Sequence, residues 1–371
     1  MSAIGVMQVT DSLLPGGLER MAVNIANSLP RTTCVSHLCT TREGGPLEDL
    51  IAPDVRKLSL GRRSTADPEA FRRLTAYIRE NDVRILHAHG TSLFFAVAAS
   101  AVRPFPSVIW HVHLGRFAIE DQPAFLYRVA VKRAGGVITV NEPLLEWCVR
   151  RMHVPREHVR FVQNFVAPSR SGAPPPDLPG TAGSRIVCVA NLRPDKDHAT
   201  LLRAMALVVR EFPAAHLILL GSYEEASYRD EVIDAIAREG LKDSVSWLGS
   251  RSDIQAVLKL CDIGVLSSRS EGLPLALIEY GVAGLASVAT RVGQCPEVLD
   301  EGKCGLVVPP RSPGELAQAV LALLASPVRR EELGTRFAER VRLLYGAEKS
   351  IESICAMYDM VLAGKREEAA A

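Results

Sequence analysis

An α/β chain of two doubly wound parallel-sheet domains is what this sequence predicts, and three observations predict it. Short runs rich in Val, Ile and Leu alternate with longer segments whose apolar residues recur at helical spacing, the rhythm of successive βα units. That rhythm is interrupted mid-chain by A-P-S-R-S-G-A-P-P-P-D-L-P-G-T-A-G, whose Pro, Gly and Ser read as an interdomain linker, and then it restarts. At 371 residues and 47% apolar, the chain is long enough for two cores. The domains are placed at residues 1–167 and 184–346, with 168–183 as the linker.

In the first half, residues 3–10 (A-I-G-V-M-Q-V-T) read as a buried strand. D-S-L-L-P-G-G-L-E-R then leads into M-A-V-N-I-A-N-S-L, which has helical spacing. Gly16 and Gly17 therefore sit between the first strand and the first helix, where glycines let a backbone come close to a ligand. Residues 34–40 read as a strand, and 62–81 contain a helix with the basic pairs Arg62-Arg63 and Arg72-Arg73. Residues 82–89 form a strand ending in His87-x-His89, 91–102 an apolar helix, and 107–113 a strand ending in His111-x-His113, followed by Leu114-Gly115-Arg116. Strand alternation puts each His pair on one face. No carboxylate set at ligand spacing accompanies them, so they are not read as a metal site. Strand C-termini of an open parallel sheet line the ligand crevice, which makes His113 and His111 competing candidates for a site histidine. Residues 135–140 read as a strand, Asn141-Glu142-Pro143 as a helix start, and 159–166 as a strand.

In the second half, strands at 185–190, 216–220, 245–248 and 262–266 alternate with helices at 198–210, 228–240 and 254–260. The loop 191–197 (N-L-R-P-D-K-D) follows the first of these strands. The most informative stretch, 267–297, reads S-S-R-S-E-G-L-P-L-A-L-I-E-Y-G-V-A-G-L-A-S-V-A-T-R-V-G-Q-C-P-E. Its order is strand, tight turn, helix start. Glu271 stands at the turn and Glu279, eight positions on, lies about two helical turns inside. Pro274 suits a first helical turn, where its missing N–H costs little. Free N–H groups and the positive dipole end of such a helix make a phosphate cradle. Glu279 is then placed to accept hydrogen bonds from hydroxyls such as those of a ribose.

The stretch from Glu271-Gly-Leu-Pro through Glu279 to V-G-x-x-P-E resembles the Glu-x7-Glu signature of the retaining, nucleotide-sugar-dependent glycosyltransferases of family 4, the "glycosyl transferases group 1" of the GT-B fold. The resemblance implies two Rossmann-like domains facing a central cleft, closing over the substrates, and a last helix, near 347–362, crossing back onto the first domain. The Arg/Glu/Ala tail that follows is expected to fray, as chain termini do. It implies that Glu279 binds the ribose, that Glu271 contacts the sugar hydroxyls, and that the backbone of Gly272, Leu273, Pro274, Leu275 and Ala276 holds phosphate and sugar. In N-L-R-P-D-K-D, Lys196 matches the family's diphosphate-gripping Lys. The family's Arg position is occupied by Asn191, with Arg193 two residues later as the substitute, so both remain candidates. Cations there would stabilise charge building on the departing diphosphate. Turn residues 249–253, with Gly249 and Arg251, fall near where the family seats the base. Gly16, Gly17, His113, His111 and Arg116 become the acceptor-side candidates. The V-R-F-V-Q-N-F-V strand keeps only Asn164 and Val166 of the family's pattern there, and Tyr223 replaces a glycine after Gly221-Ser222. Asp195-Lys196-Asp197 is formally an Asp-x-Asp, a metal motif of a different glycosyltransferase fold. Because it falls on the phosphate-binding Lys, neither a metal nor another cofactor is expected.

Composition limits the partners. Net charge is +1, but residues 1–170 carry 21 Lys and Arg against 15 Asp and Glu, so that half is basic and the remainder acidic. This suits an anionic acceptor, for instance a lipid diphosphate, or contact with an anionic membrane surface, and gives no reason to invoke nucleic acid. No apolar run approaches the ~18 residues that span a bilayer, and no signal-peptide pattern opens the chain. The eight Cys are scattered without a Cys-x-x-Cys, as buried thiols in a reducing cytoplasm would be. The expected donor is a UDP-sugar before a GDP-sugar, and the expected acceptor a hydroxyl of a lipid-linked, polysaccharide or small molecule. A sugar-nucleotide epimerase, or a non-catalytic sugar-nucleotide-binding protein on the same fold, is the alternative reading.

Overall fold

The computed structural model describes residues 3–14, 16–64, 67–113, 124–166, 176–223, 225–251 and 253–370. In chain order the first elements are β1 (Ile4–Thr10), α1 (Gly17–Ser28), β2 (Cys34–Thr40), β3 (Arg56–Ser59), α2 (Pro68–Glu80), β4 (Val83–His89), α3 (Leu93–Ser100), β5 (Ser107–Val112), α4 (Ala124–Val131), β6 (Gly136–Thr139), α5 (Glu142–Arg150) and β7 (Val159–Phe161). There follow β8 (Arg185–Val189), α6 (His198–Glu211), β9 (His216–Leu220), α7 (Ala226–Arg238), β10 (Val245–Trp247), α8 (Ile254–Leu258), β11 (Ile263–Leu266), α9 (Leu275–Ala283), β12 (Ala286–Thr290), α10 (Cys295–Val298), β13 (Leu306–Val308), α11 (Pro313–Leu324), α12 (Pro327–Leu344) and α13 (Ala347–Ala370). The chain divides into two compact units, Met1–Ala167 with Ala347–Ala371, and Pro168–Gly346.

The first unit is a parallel sheet of order β3-β2-β1-β4-β5-β6-β7. Its central strands are buried on both faces, so they read as near-continuous apolar runs. One face packs α2, α3, α4 and α5 around Leu74, Leu86, Trp110 and Leu144. The other packs α1 and α13, with Ile25, Ile85, Ile109 and Phe165 against Ile354, Met357 and Tyr358. The C-terminal helix thus completes the core of the first unit. Its bounds are Ala347–Ala370.

The second unit repeats the plan with the order β10-β9-β8-β11-β12-β13, again parallel. Strand order reverses between β1 and β4 in one sheet and between β8 and β11 in the other. Those are the switch points at which open α/β sheets bind ligands. Asp67, Asn141, Asp197 and Ser326 each cap the helix that follows with a side-chain oxygen.

Some elements depart from the sequence expectation for local reasons. The helix expected over 62–81 begins only at Pro68, because the residue before a proline disfavours the helical region and Asp67 supplies the cap. Arg62 lies in the preceding loop, paired with Asp11 and stacked over the Phe95 ring. The strand expected over 159–166 ends at Phe161. Beyond it, side chains of α1 and α13 hold the backbone: Asn24 donates to the Phe165 carbonyl at 2.8 Å and Ser350 to that of Gln163 at 3.0 Å. Of the expected linker, 168–175 lies outside the described residues. The part that follows is tied down, since the Arg185 guanidinium donates to the carbonyls of Leu178, Pro179 and Gly180. All eight cysteines are free thiols, seven of them buried. Among the described residues no helix is long and apolar enough to cross a membrane.

The interior of the first sheet carries buried imidazoles. Burial, with a smaller contribution from His113, pushes His87 down to about 3, and burial takes His37 to about 4. Burial also drives His113 to about 3, and His89 and His111 well below the ordinary value. A histidine with a depressed pKa in the fold stays neutral there and takes up a proton on unfolding. Its stabilisation is therefore complete above the unfolded value near 6.5 and is lost as pH falls toward the folded value. Each such group contributes a slope of about 1.4 kcal/mol per pH unit inside that window. The melting temperature should drop between pH 7 and pH 5, with net proton uptake on unfolding. Calorimetry in buffers of different ionisation enthalpy measures that uptake, and its absence would mean that the imidazoles are charged in the fold.

Candidate active site

At the switch point of the second sheet, two loops leave the ends of neighbouring strands and are stitched together. Residues 191–197 follow β8 and residues 267–274 follow β11. The Ser267 hydroxyl donates to the carbonyls of Lys196 (2.9 Å) and Asp197 (3.3 Å). The Arg269 N–H donates to the Asp195 carbonyl at 2.7 Å, and the Arg269 guanidinium to Asp197 Oδ1 at 2.8 Å. Across this seam Lys196 Nζ meets Glu271 Oε1 at 2.8 Å, with side chains only 20% and 9% exposed. The Ser268 hydroxyl donates to the same oxygen at 2.6 Å. Oε1 is thereby engaged twice, whereas Oε2 has no hydrogen-bond partner among the described residues.

A third loop clamps the turn from beneath. Gly293 has φ +50°, and a Cβ there would stand 2.1 Å from the Glu271 carbonyl oxygen, so a side chain would force the two loops apart. The Gln294 N–H donates to the Gly272 carbonyl at 3.1 Å, and Thr290 Oγ1 to that of Ser268 at 2.6 Å. Gly272 itself is exposed, with nothing within 4 Å of where its Cβ would be. Pro274 is the residue just before α9, rather than inside its first turn, and its carbonyl accepts from Leu277 and Ile278. No side chain caps this helix start, so its first amides and the positive dipole end adjoin Glu271 and Gly272. Leu273, Leu275 and Ala276 are half-buried there, and Glu279 lies one helical stretch further in, 6% exposed.

Tyr280, next to Glu279, fixes the helix and was missed by the sequence reading. Its buried hydroxyl accepts from the Val189 N–H at 2.7 Å and donates to the Val265 carbonyl at 3.2 Å, tying α9 to both β8 and β11. The sequence signal was Gly264, a glycine inside a strand, where a Cβ would meet the Tyr280 ring at 2.5 Å.

The other donor-side candidates have specific partners. Asn191 Oδ1 accepts from the Ser222 N–H (3.0 Å) and hydroxyl (3.1 Å), joining the loops after β8 and β9. Arg193 is 45% exposed and pairs with Asp195 at 3.1 Å. Asp195 also lies 3.6 Å from Lys196. Asp197 is almost fully buried and caps α6. Burial would raise its pKa, but hydrogen bonds from Arg269 and Thr200 outweigh that and hold it below its ordinary value. Gly249 (φ +68°) accepts through its carbonyl from the Gly221 N–H at 2.9 Å. Arg251 makes two bonds to Asp253, at 2.7 and 2.6 Å.

In the first unit, Gly16 is extended and precedes α1, and Gly17 opens that helix. The Glu19 carboxylate folds back beside Gly16, where burial raises its pKa. His113 follows the end of β5 and is half-buried, whereas His111 is inside the strand and 1% exposed. Arg116 lies outside the described residues.

The chain resembles known proteins along most of its length. The family model described as "Glycosyltransferase Family 4" matches residues 15–170, and the one described as "Glycosyl transferases group 1" matches residues 183–326. The alpha-D-kanosaminyltransferase of Streptomyces kanamyceticus is 24% identical over 74% of this chain and 75% of its own length. The N-acetyl-alpha-D-glucosaminyl L-malate synthase of Bacillus anthracis is 26% identical over 48% of this chain, a match that spans less than half (45%) of that relative's length. Anabaena HepE, solved in complex with UDP and glucose, superposes with a TM-score of 0.74 at 17% identity, over 96% of this chain and 99% of that one. Its fold is therefore GT-B. One family model covers the unit with the histidine strands and the other covers the unit with the Lys196–Glu271 seam, and on that ground the chain belongs to the group 1 glycosyltransferases of the GT-B fold.

Proposed function

We propose that the protein is a retaining glycosyltransferase that needs no metal and moves a sugar from a UDP-sugar to an acceptor hydroxyl. The observation that carries this reading is the seam between Lys196 and Glu271, set against the uncapped start of α9. A nucleoside diphosphate needs a cation, free backbone N–H groups and a helix dipole, and these three converge there. Glu271 keeps one carboxylate oxygen for a sugar hydroxyl while Lys196 and Ser268 hold the other. Glu279 takes the ribose, and Gly249 and Arg251 adjoin the base. Arg193 and Lys196 stabilise the charge that builds on the departing diphosphate. Attack on the face that the leaving group vacates demands no enzymatic nucleophile.

The choice of UDP is supported by HepE, which was solved with UDP and glucose. The acceptor belongs to the first unit, near Gly16, Gly17 and His113, and its basic balance favours an anionic molecule such as a lipid diphosphate. With it goes a cytoplasmic location at the inner membrane face. Metal independence is supported by the engagement of both carboxylates of the Asp195-x-Asp197 motif, one with Arg193 and Lys196, the other with Arg269 and Thr200.

Glu279→Ala should weaken UDP-sugar affinity more than it slows the bound complex. Titration calorimetry measures this, and unchanged affinity would remove the ribose role. Lys196→Ala and Arg193→Ala should each lower kcat/KM by about 10²-fold or more, as for a lost charge-stabilising donor. A silent Arg193→Ala beside a damaging Asn191→Ala would shift the diphosphate grip to Asn191. Thermal-shift screening of UDP- and GDP-sugars selects the donor. With that donor, turnover should survive EDTA, and the product should keep the donor's anomeric configuration by NMR. Activity lost to EDTA and restored by Mn²⁺ or Mg²⁺, or an inverted anomer, would overturn the mechanism.

A further inference from the structure

Four imidazoles stand together on one face of β4 and β5, joined in two pairs. His87 Nε2 and His111 Nδ1 are 3.1 Å apart, and His89 Nδ1 and His113 Nε2 are 2.9 Å apart. The pairs are anchored at a single residue in the middle of β1. Gln8 Oε1 lies 2.9 Å from His89 Nε2, and Gln8 Nε2 donates to the Tyr358 hydroxyl on α13 at 3.2 Å. That hydroxyl lies 2.7 Å from His87 Nδ1. His87, His89, His111, Gln8 and Tyr358 are all buried.

Nitrogens of His87, His89 and His111 come within 4.8 Å of one another, which invites a metal reading. Ring geometry argues against it. His87 is joined in an N–H···N bond to His111, whereas the His89 ring is stacked on it at 4.8 Å and 15°. Imidazole lone pairs lie in the ring plane, so those of stacked rings do not converge on one ion.

With Gln8 Oε1 turned to His89, the hydrogen-bond chain sets where the protons are. A neutral imidazole carries one N–H, and the bond made by one nitrogen decides the state of the other. A carbonyl oxygen only accepts, so Gln8 Oε1 requires the proton of His89 on Nε2. His89 Nδ1 is then an acceptor, and His113 must donate to it from Nε2. His113 is left with a lone pair on Nδ1, which has no partner among the described residues. The same logic runs along the other branch. Tyr358 accepts from the Gln8 amide and donates to His87 Nδ1, so His87 donates from Nε2 to His111 Nδ1. The proton of His111 then sits on Nε2, which is buried and has no hydrogen-bond partner. Reversing the Gln8 amide reverses every proton in both branches, so one side chain sets the whole network.

We propose that Gln8, acting through His89, is a positioning residue that locks His113 as the Nε2–H tautomer and so presents Nδ1 to the acceptor hydroxyl as a hydrogen-bond acceptor. This rests on the acceptor-side role of His113 given above and specifies its chemistry: His113 accepts a hydrogen bond from the acceptor hydroxyl and does not donate one to it. Burial keeps His113 neutral near pH 7, which is the condition under which the tautomer matters.

The direct test is the tautomer in the wild-type protein, labelled with ¹⁵N-histidine and assigned through single histidine substitutions. His113 and His89 should each show a protonated Nε2 and a lone-pair Nδ1. A protonated Nδ1 on His113 would overturn the proposal, because it means the Gln8 amide is reversed. Gln8→Met removes both anchors at nearly constant size. It should mix the His113 tautomers and lower turnover by about 10-fold, as loss of an outer-shell partner does, while leaving donor affinity unchanged. In a His113→Ala background the same change should have no further effect on turnover, since residues acting as a unit are non-additive. An additive loss would mean that Gln8 matters only to folding, and would overturn the proposal. His113→Ala with full turnover would instead remove the acceptor-side reading itself, whatever the tautomer. An inactive His113→Ala beside a wild-type Nδ1–H signal would leave that reading standing and defeat this inference alone.

Discussion

The second unit depends on a seam between two loops that leave adjacent parallel strands. Lys196 and Glu271 belong to segments 75 residues apart in sequence, yet their side chains meet at 2.8 Å. A parallel sheet alone does not fix what its loops do beyond the strand ends. Here the Ser267 hydroxyl, the Arg269 N–H and the Arg269–Asp197 pair set the separation first, and the ion pair then lies across a prepared gap. Removing one partner of a buried pair leaves the other uncompensated, at about 3–5 kcal/mol, whereas the intact pair adds little net stability. What the pair supplies is position: a cation and a carboxylate oxygen held at the mouth of α9.

That arrangement is economical in charge. A bare lysine beside a helix N-terminus would have its charge set against the positive end of the dipole. Glu271 offsets both. On the proposed reading an incoming diphosphate meets a lysine already oriented, and Glu271 turns its other oxygen to the sugar. Gly293 makes the same point sterically, because the backbone of the third loop lies where any side chain would meet the Glu271 carbonyl.

Much of this was legible in the sequence because it is local. Glu271 and Glu279 stood out by their place after a strand together with the family's Glu-x7-Glu signature, and Lys196 by the resemblance of its loop to the family's pattern; such local patterns carry over to three dimensions when turns are short. The departures came from interactions that spacing does not encode. Asn191 occupies the place expected of an arginine, but its carbonyl oxygen is committed to Ser222, a partner 31 residues away. Tyr280 was not singled out, because its hydroxyl partners, Val189 and Val265, belong to other strands. Within 62–81 the helix starts only at 68, where an Asp-Pro pair sets its first turn.

The first unit is organised on the opposite principle. Its strands place polar side chains inside a sheet covered on both faces, where each unpartnered polar atom costs about 1–3 kcal/mol. A glutamine in a central strand and four histidines along the next two strands would be a poor core if they were independent. They are tolerable because all but one of the network's protons, the exception being that on His111 Nε2, have a hydrogen-bond acceptor. The sequence displays the His-x-His pairs but not the agent that orders them, since Gln8 lies in another strand and Tyr358 in the final helix. The C-terminal helix therefore does more than cover apolar surface. It delivers the hydroxyl that links Gln8 to the His87 branch, so the chain's last element helps to set the proton arrangement in strands near its start. The remaining mismatch, the His111 Nε2–H, falls at the inner end of that branch, while the lone pair of the other branch falls on His113 at the strand end. A network with one donor too many inside and one acceptor left at its edge is polarised, and its open end is the residue closest to where the sheet's ligand crevice begins.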